Sequence, residues 1–191
     1  MSTLTLSAPI ASGCAGVIHR AAPGWLVKTA QPDNQEDLVA EARNYRLLKA
    51  AGLTGSVVPD YDVSNSTQEA LVIEHCLGIE LGKLATFKGL TPERWGEACK
   101  QVSTAMAKFH GMGFCHYDLH AWNVIVSKEK AVLIDFGLAE HKAFNDHLSD
   151  EEWEFNQQAD RYYLAEHLKA IYPDISPPAW YLDGLDVISC I

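Results

Sequence analysis

The sequence predicts an α+β protein with a small, β-rich N-terminal lobe and a mainly helical C-terminal lobe. Short apolar runs with β-branched residues recur within residues 11–77, whereas longer stretches with helical periodicity dominate residues 78–191. Inside the second part, the apolar runs 123–126 and 131–134 flank a polar turn and predict a β-hairpin. We expect one domain of 191 residues that opens with a flexible leader over residues 1–10.

Composition indicates a globular protein that does not itself bind nucleic acid. Hydrophobic residues make up 48% of the chain and charged residues 21%, with a net charge of −10 that disfavours contact with phosphate backbones. The five cysteines are odd in number and include no C-x-x-C pair, which is typical of a reduced, cytoplasmic chain. No apolar run is long enough to span a membrane, and we expect a monomer.

Two glycines near the N-terminus are candidate phosphate-binding residues. Gly13 and Gly16 fall in the pattern Ala11-x-Gly13-x-x-Gly16-x-Ile18, and glycines let backbone N–H groups approach a phosphate closely. A plain hairpin turn would explain the same pattern. The strand predicted at Trp25–Lys28 favours the phosphate interpretation, because it ends in a lysine that could bind the same group.

A helix is predicted over residues 34–49, and it carries one carboxylate on its apolar face. Glu41 falls within the apolar stripe, where a carboxylate is costly unless it is paired. Lys28 is the natural partner, although Glu36 could compete for it and Glu41 could instead lie at a solvated edge. The stripe itself consists of Leu38, Ala42, Tyr45 and Leu48.

Gly52 ends this helix, and two further strands are expected before the helical part. Val57–Pro59 should lead into one strand, and residues 70–74 should form the next. Glu74 ends the second of these strands and Cys76 follows it, and Cys76 fits a packing residue better than a nucleophile.

Two long helices are predicted in the C-terminal part. Thr91 and Pro92 have the residue types of an N-cap and a first helical position. The buried stripe of this helix should be Trp95, Val102, Met106 and Phe109. A last helix over residues 152–171 should bury Phe155, Tyr162, Leu164 and Leu168.

The central stretch Phe114–Glu140 contains the residues with the clearest chemistry. Phosphoryl transfer needs a carboxylate near the attacking hydroxyl and oxygen ligands for Mg²⁺. Asp118 can serve as the first, and Asn123 and Asp135 can supply the ligands from the open end of the predicted hairpin. A buried core hairpin without function would not explain why these side chains gather there.

Together these motifs resemble the protein-kinase-like superfamily. The chain has His116-x-Asp118-Leu119-x-x-x-Asn123 followed by Asp135-Phe136-Gly137, and the match extends over roughly residues 10–170. It is most similar to small atypical members, namely the kinase of the KEOPS tRNA-modification complex and the effector kinases injected by type III secretion. The resemblance implies a bilobal protein-kinase-like fold that uses ATP and Mg²⁺.

The resemblance also implies a role for each candidate residue. The catalytic set would be Asp118, Lys28, Glu41 and His120. The nucleotide-binding set would be Gly13, Gly16 and Lys28, with backbone groups near Glu74 and Cys76. The metal ligands would be Asn123 and Asp135.

The chain departs from the family pattern in three places. Tyr117 stands where many regulated kinases have an arginine that pairs with a phosphorylated activation loop. No A-P-E follows Gly137, and Asp160, which resembles the buried aspartate that holds the catalytic loop, comes only 23 residues after that glycine. The activation segment is therefore short. His120 replaces the usual lysine, as in kinases of the aminoglycoside and choline type.

Three functions remain open from the sequence. The leading hypothesis is a constitutively active Ser/Thr protein kinase acting on a protein substrate. A secreted effector would act on a host protein in the host cytosol. The alternatives are a small-molecule kinase, which His120 favours, and a pseudokinase or binding module. The acidic stretch 146–154 fits a solvated helix start, or a surface that attracts a basic substrate.

Overall fold

The computed structural model describes residues 7–12, 16–31, 35–67 and 69–173. The chain divides into two compact units. Unit 1 comprises Met1–Cys76 and Asp135–Leu138, and unit 2 comprises Leu77–Ile134 and Ala139–Ile191. The predicted α+β class is confirmed, because unit 1 is built on a β-sheet and unit 2 is mainly helical.

Unit 1 contains a four-stranded antiparallel sheet in the order β1-β2-β3-β4. The strands are β1 (Pro9–Ser12), β2 (Val17–Arg20), β3 (Trp25–Thr29) and β4 (Ala70–Glu74). The central strands β3 and β4 are rich in Val, Leu and Ile, and residues such as Val27 and Leu71 are fully buried. Each strand pairs with the next strand along the chain, and a helix lies between β3 and β4 in the sequence.

The sheet begins earlier than the sequence indicated. Pro9 and Ile10, which we assigned to the flexible leader, lie in β1, so the leader prediction was wrong at these residues. The edge position of β1 accommodates Pro9, which has no backbone N–H to contribute to a ladder. Ser7 is also held, because its side chain accepts a hydrogen bond from the Arg20 N–H at 2.9 Å. Residues 1–6 and Gly13 of the glycine pattern lie outside the described residues.

Helix α1 (Gln35–Ala50) follows the predicted periodicity. All four residues of its apolar stripe are buried. The helix ends in a Schellman motif, in which the Gly52 N–H donates to the carbonyl of Lys49 and the Leu53 N–H donates to the carbonyl of Leu48. Gly52 has φ +70°, a conformation that favours glycine, so this residue stops the helix as expected.

The strand expected after Val57–Pro59 does not form. Val58 and Tyr61 instead take part in isolated bridges, to Thr54 and Ile73 respectively. Val57 and Val58 are buried, so their apolar character reflects packing in the core of unit 1.

In the described part of unit 2, which ends at residue 173, three helices pack against two small antiparallel sheets, in the orders β5-β7-β8 and β6-β9. Its elements are β5 (Ile79–Glu80), α2 (Leu81–Ala85), α3 (Pro92–Gly111), β6 (Phe114–Cys115), β7 (Val124–Val126), β8 (Ala131–Leu133), β9 (Glu140–His141), a 3₁₀ turn (Lys142–Phe144) and α4 (Asp150–Ile171). Within the described ranges, no helix has both the length and the apolar character needed to cross a membrane.

The predicted hairpin is confirmed as β7 and β8. Val124 pairs with Leu133, and the Ser127 N–H closes the turn on the carbonyl of Lys130 at 2.9 Å. The ladder continues beyond the strands, because the Ile134 N–H donates to the carbonyl of Asn123 at 3.0 Å. The hairpin therefore fixes the backbone of Asn123 at its open end.

The two long helices start with the caps expected from their sequences. Thr91 accepts a hydrogen bond from the Arg94 N–H, with Pro92 in the first helical position of α3, whose predicted stripe is buried. Ser149 and Glu152 form a capping box at the start of α4, two residues before the predicted boundary.

The predicted stripe of α4 is partly wrong. Phe155 is 38% exposed, whereas Trp153 is only 3% exposed. Residues two apart in a helix project about 200° apart, so burying Trp153 turns Phe155 outward. Leu164 and Leu168 are buried as expected, and Tyr162 is half-buried.

Candidate active site

Unit 1 contains a buried lysine between two carboxylates. Lys28 lies in β3 and is 6% exposed. Its Nζ lies 2.7 Å from Oε2 of Glu41 in α1 and 2.9 Å from Oδ1 of Asp135. The pairing of Lys28 with Glu41 that the sequence predicted is thus confirmed, and Asp135 joins the same cation.

The charges of this cluster depend on one another. Burial by itself would lower the pKa of Lys28, but Glu41 and Asp135 outweigh that effect and raise it, so the lysine stays cationic. Burial raises the pKa of Glu41, and the charge of Lys28 opposes this rise. Removing one partner of such a buried pair typically costs about 3–5 kcal/mol, because the remaining charge is uncompensated.

Asp135 and the residue after it are held on the face of α1. Asp135 has φ +65°, and its side chain is 40% exposed. The ring of Phe136 is fully buried and packs edge-on against Tyr45, with centroids 5.3 Å apart. Nδ2 of Asn44 donates to the carbonyl of Phe136 at 2.7 Å. Asn44 was not among the residues predicted from the sequence.

The structure gives positions for three further residues of unit 1 that the sequence predicted at a nucleotide site. Their role in binding a nucleotide stays a prediction. Gly16 needs to be glycine, because a Cβ there would lie 2.6 Å from the carbonyl oxygen of Thr29. Glu74 ends β4, and its carboxylate accepts the Asp60 N–H at 3.0 Å. Cys76 is half-buried at the end of unit 1.

In unit 2, the structure brings together Asp118, His120 and Asn123. Nδ2 of Asn123 lies 2.9 Å from the carbonyl oxygen of Asp118, 3.3 Å from Oδ2 of the same residue and 3.2 Å from Nε2 of His120. Asn123 is 6% exposed, whereas the Asp118 side chain is 46% exposed. The buried amide thus organises a loop whose carboxylate faces solvent.

A second histidine supports this loop from α4. Nδ1 of His167 accepts the Ala121 N–H at 3.1 Å, and its ring centroid lies 5.4 Å from that of His120. Partial burial lowers the pKa of His167, and the neighbouring His120 lowers it further. The neutral imidazole is the form that can accept this hydrogen bond.

Asp160 anchors the start of the same loop, as the resemblance to kinases implied. It is 3% exposed and accepts the N–H of His116 at 2.7 Å and that of Tyr117 at 2.9 Å. Nε2 of His110, in α3, lies 3.0 Å from the same carboxylate. His110 was not among the residues predicted from the sequence, where its signal is that a polar residue falls on the buried face of α3.

Tyr117 takes the place that an arginine holds in many regulated kinases. It has φ +59°, and its hydroxyl accepts a hydrogen bond from Nδ2 of Asn156 in α4 at 3.0 Å. Partial burial raises the pKa of Tyr117 to about 12, so the contact is made by a neutral phenol. The loop is therefore tied to α4 without a charged group at this position.

These parts define a class of protein. In unit 1, the buried pair of Lys28 and Glu41 contacts Asp135 of the D-F-G motif. In unit 2, the loop with Asp118 and Asn123 is anchored by the buried carboxylate of Asp160. Both features are typical of kinase-type phosphotransferases. The protein kinase domain family matches residues 25–168. The chain belongs to this family, which confirms the predicted resemblance to the protein-kinase-like superfamily.

Individual relatives span several branches of kinase-like proteins. The chain is 33% identical over 106 residues to the KEOPS complex subunit Bud32 of Pyrococcus abyssi, covering 56% of this chain and 46% of that protein. It is 29% identical over 145 residues to mitogen-activated protein kinase 12 of Mus musculus, covering 69% and 39%. It is 28% identical over 145 residues to the probable protein kinase UbiB of Xanthomonas oryzae pv. oryzae, covering 71% and 24%. Each match spans less than half of the relative.

Proposed function

We propose that this protein is an ATP- and Mg²⁺-dependent kinase that phosphorylates serine or threonine hydroxyls of a protein substrate. The observation that carries the proposal is the buried Lys28, held by Glu41 at 2.7 Å and by Asp135 at 2.9 Å. Burying the charges of Lys28 and Glu41 costs free energy that an apolar pair would avoid. A lysine kept cationic in this way is suited to binding the phosphates of ATP.

The donor atoms of the two proposed metal ligands fit Mg²⁺. Asn123 uses Nδ2 for its contacts within the loop, which leaves Oδ1 on the other side of the amide as an oxygen ligand. Asp135 uses Oδ1 for Lys28, and its carboxylate is 40% exposed, so its other oxygen can face a cation. When bound, Mg²⁺ neutralises the negative charge of the phosphates.

Asp118 is the proposed base for the acceptor hydroxyl. Its carboxylate is 46% exposed, and Asn123 holds both its carbonyl and one of its side-chain oxygens. An exposed carboxylate on a fixed backbone can accept the hydrogen of an incoming hydroxyl and orient it for attack. His120, 3.8 Å from the same carboxylate, would add a positive charge near the phosphate only when protonated.

The test is transfer of radiolabelled γ-phosphate from ATP to proteins of a whole-cell extract, with identification of the labelled band. Asp118→Ala and Asp135→Ala should each lower the rate at least about 100-fold while leaving the protein folded, because each removes a group that acts on the transition state. Lys28→Met should raise the KM for ATP and lower kcat. Glu97→Ala, which removes a carboxylate at an exposed position of α3 in unit 2, is the control and should leave the rate unchanged. Near-wild-type turnover of Asp118→Ala would refute the proposal.

A second candidate function is phosphorylation of a small molecule. His120 favours it, because histidine at this position is usual in kinases of the aminoglycoside and choline type. The same variants should be assayed with an aminoglycoside and with choline as acceptors. Turnover of either, with no labelled protein in the extract, would replace the protein-kinase proposal. ATP binding without any turnover would favour a pseudokinase or binding module.

Partners and location follow from the same proposal. We propose a monomer that acts in the cytoplasm, or on a host protein if the chain is a secreted effector. One relative is a subunit of the KEOPS complex, so a stable partner is the competing possibility. Light scattering on the purified protein, alone and after incubation with an extract, distinguishes a monomer from a complex.

A further inference from the structure

Asn44 is a buried polar residue without a role in the proposed chemistry. It lies in α1, one turn after Glu41, and is 2% exposed. Its Nδ2 donates to the carbonyl of Phe136, 92 residues further along the chain, at 2.7 Å. A buried amide at such a short distance from a backbone carbonyl indicates a specific contact, since burying an amide without a partner costs free energy.

Asn44 is one of three neighbours on α1 that hold the same residue. The backbone of Phe136 lowers the pKa of Glu41, and Asn44 donates to the carbonyl of Phe136 at 2.7 Å. The ring of Tyr45 packs edge-on against the ring of Phe136. Residues at i, i+3 and i+4 share one helix face, so this face of α1 contacts both the backbone and the side chain of Phe136.

This arrangement bears directly on Asp135, the residue before Phe136. Asp135 has φ +65°, which is uncommon for residues other than glycine and persists only where surrounding contacts hold it. One such contact is the bond from Lys28 to its side chain. Fixing the peptide groups of the next residue fixes the backbone from which the Asp135 carboxylate projects.

We propose that Asn44 is a positioning residue that orients Asp135 for metal binding by holding the carbonyl of Phe136. The inference rests on the proposed function in so far as Asp135 is a ligand for Mg²⁺. The chemistry explains why asparagine occupies the position. Aspartate has no N–H to donate, leucine has the shape without the donor, and glutamine is longer by one methylene group.

The first measurement is the Mg²⁺ concentration that gives half-maximal phosphate transfer at saturating ATP. Losing a hydrogen bond of about 1 kcal/mol corresponds to roughly a fivefold change in an equilibrium constant. Asn44→Leu and Asn44→Asp should therefore raise the half-maximal Mg²⁺ concentration at least about fivefold. The maximal rate at saturating Mg²⁺ should fall less than that. A merely structural role would lower the melting temperature and the maximal rate without moving the Mg²⁺ midpoint.

The matched control is Gln101→Leu. Gln101 is also a buried helical amide that donates to a backbone carbonyl, that of Lys128, at 3.3 Å in unit 2. Removing its donor should leave the Mg²⁺ midpoint unchanged. If Asn44→Leu does not fold, Asn44→Ala removes the same donor with less crowding and is measured in its place.

The second measurement needs no catalysis. Hydrogen–deuterium exchange of the nucleotide-free protein follows the amides of residues 135–138. In Asn44→Leu these amides should exchange at least about fivefold faster, while those of α3 stay at the wild-type rate. This result would stand even if the wild-type protein transferred no phosphate, in which case only the proposed function would fail. Unchanged exchange at residues 135–138, or an unchanged Mg²⁺ midpoint in an active Asn44 variant, would overturn the positioning role.

Discussion

Replacing Asp160 with alanine should destabilise unit 2 strongly. The carboxylate is 3% exposed and accepts hydrogen bonds from the backbone N–H groups of His116 and Tyr117. It also lies 3.0 Å from Nε2 of His110. Each buried donor that loses its acceptor costs about 1–3 kcal/mol, and breaking a buried charged network typically costs about 3–5 kcal/mol in total. We therefore expect the free energy of unfolding to fall by about 3–5 kcal/mol.

Urea unfolding followed by tryptophan fluorescence measures this loss. Trp153 lies in the same helix as Asp160 and is 3% exposed, so its emission should report the unfolding of unit 2. With a slope of about 2 kcal/mol per molar urea, the midpoint should fall by about 2 M. Asp160→Asn keeps one acceptor oxygen and should lose less. Asp150→Ala, in the same helix but exposed, is the control and should change the midpoint far less. A loss below about 1 kcal/mol in Asp160→Ala would refute the anchoring role.

Three further predictions concern the surroundings of the loop. Phosphatase treatment should leave the initial rate of phosphate transfer unchanged, because Tyr117 provides no cation for a phosphate; a large, reversible loss would contradict this. Ser149→Ala should lower the free energy of unfolding by about 1 kcal/mol, because Ser149 and Glu152 form the capping box of α4. The KM for a protein substrate should not change. A raised KM with unchanged stability would favour a role of the acidic stretch in substrate binding. Partial burial lowers the pKa of His167 below its ordinary value of 6.5, so the unfolded chain binds a proton at His167 more tightly than the folded chain does. The free energy of unfolding should therefore fall as the pH drops below about 6.5. His167→Asn keeps an acceptor for the Ala121 N–H and should weaken this pH dependence; an unchanged profile would count against it.

The parts of the site that the sequence predicted are those with a local or periodic signal. Glu41 stands out because a carboxylate on an apolar helical stripe requires a partner, and the structure places Lys28 at 2.7 Å from it. The hairpin was predictable because two β-branched runs flank a short polar turn. Asp160 followed only from the family resemblance, since nothing in its own neighbourhood marks it as buried.

The residues that sequence reasoning missed make contacts between distant parts of the chain. Asn44 reaches a carbonyl 92 residues away, and His110 reaches a carboxylate 50 residues away. No periodicity reports such a pairing. Asn44 did offer one signal, because it lies three residues after Glu41 and directly before the buried Tyr45. A polar residue there must either find a partner or distort the stripe.

The errors arose where the local sequence allowed two patterns. Polar residues around Pro9 suggested a leader, but an edge strand tolerates such a composition on its open side. Phe155 was expected inside because it fell on the predicted apolar stripe, yet the larger Trp153, two residues before it, takes the buried side of α4. In both cases a tertiary contact decided between two patterns that the local sequence allowed.

The membership of Asp135–Leu138 in unit 1 has a consequence for how the protein is made. The contacts of Lys28 with Asp135 and of Asn44 with Phe136 join residues 107 and 92 positions apart. A ribosome that has released residues 1–76 has not yet supplied these partners, and residues 77–134 must be synthesised first. Domains often fold from the N-terminus as they emerge from the ribosome. Unit 1 cannot complete its contacts in this way until residues 77–138 have been translated. A gene fragment cut after Cys76 should accordingly yield a chain whose buried lysine and glutamate lack their third partner.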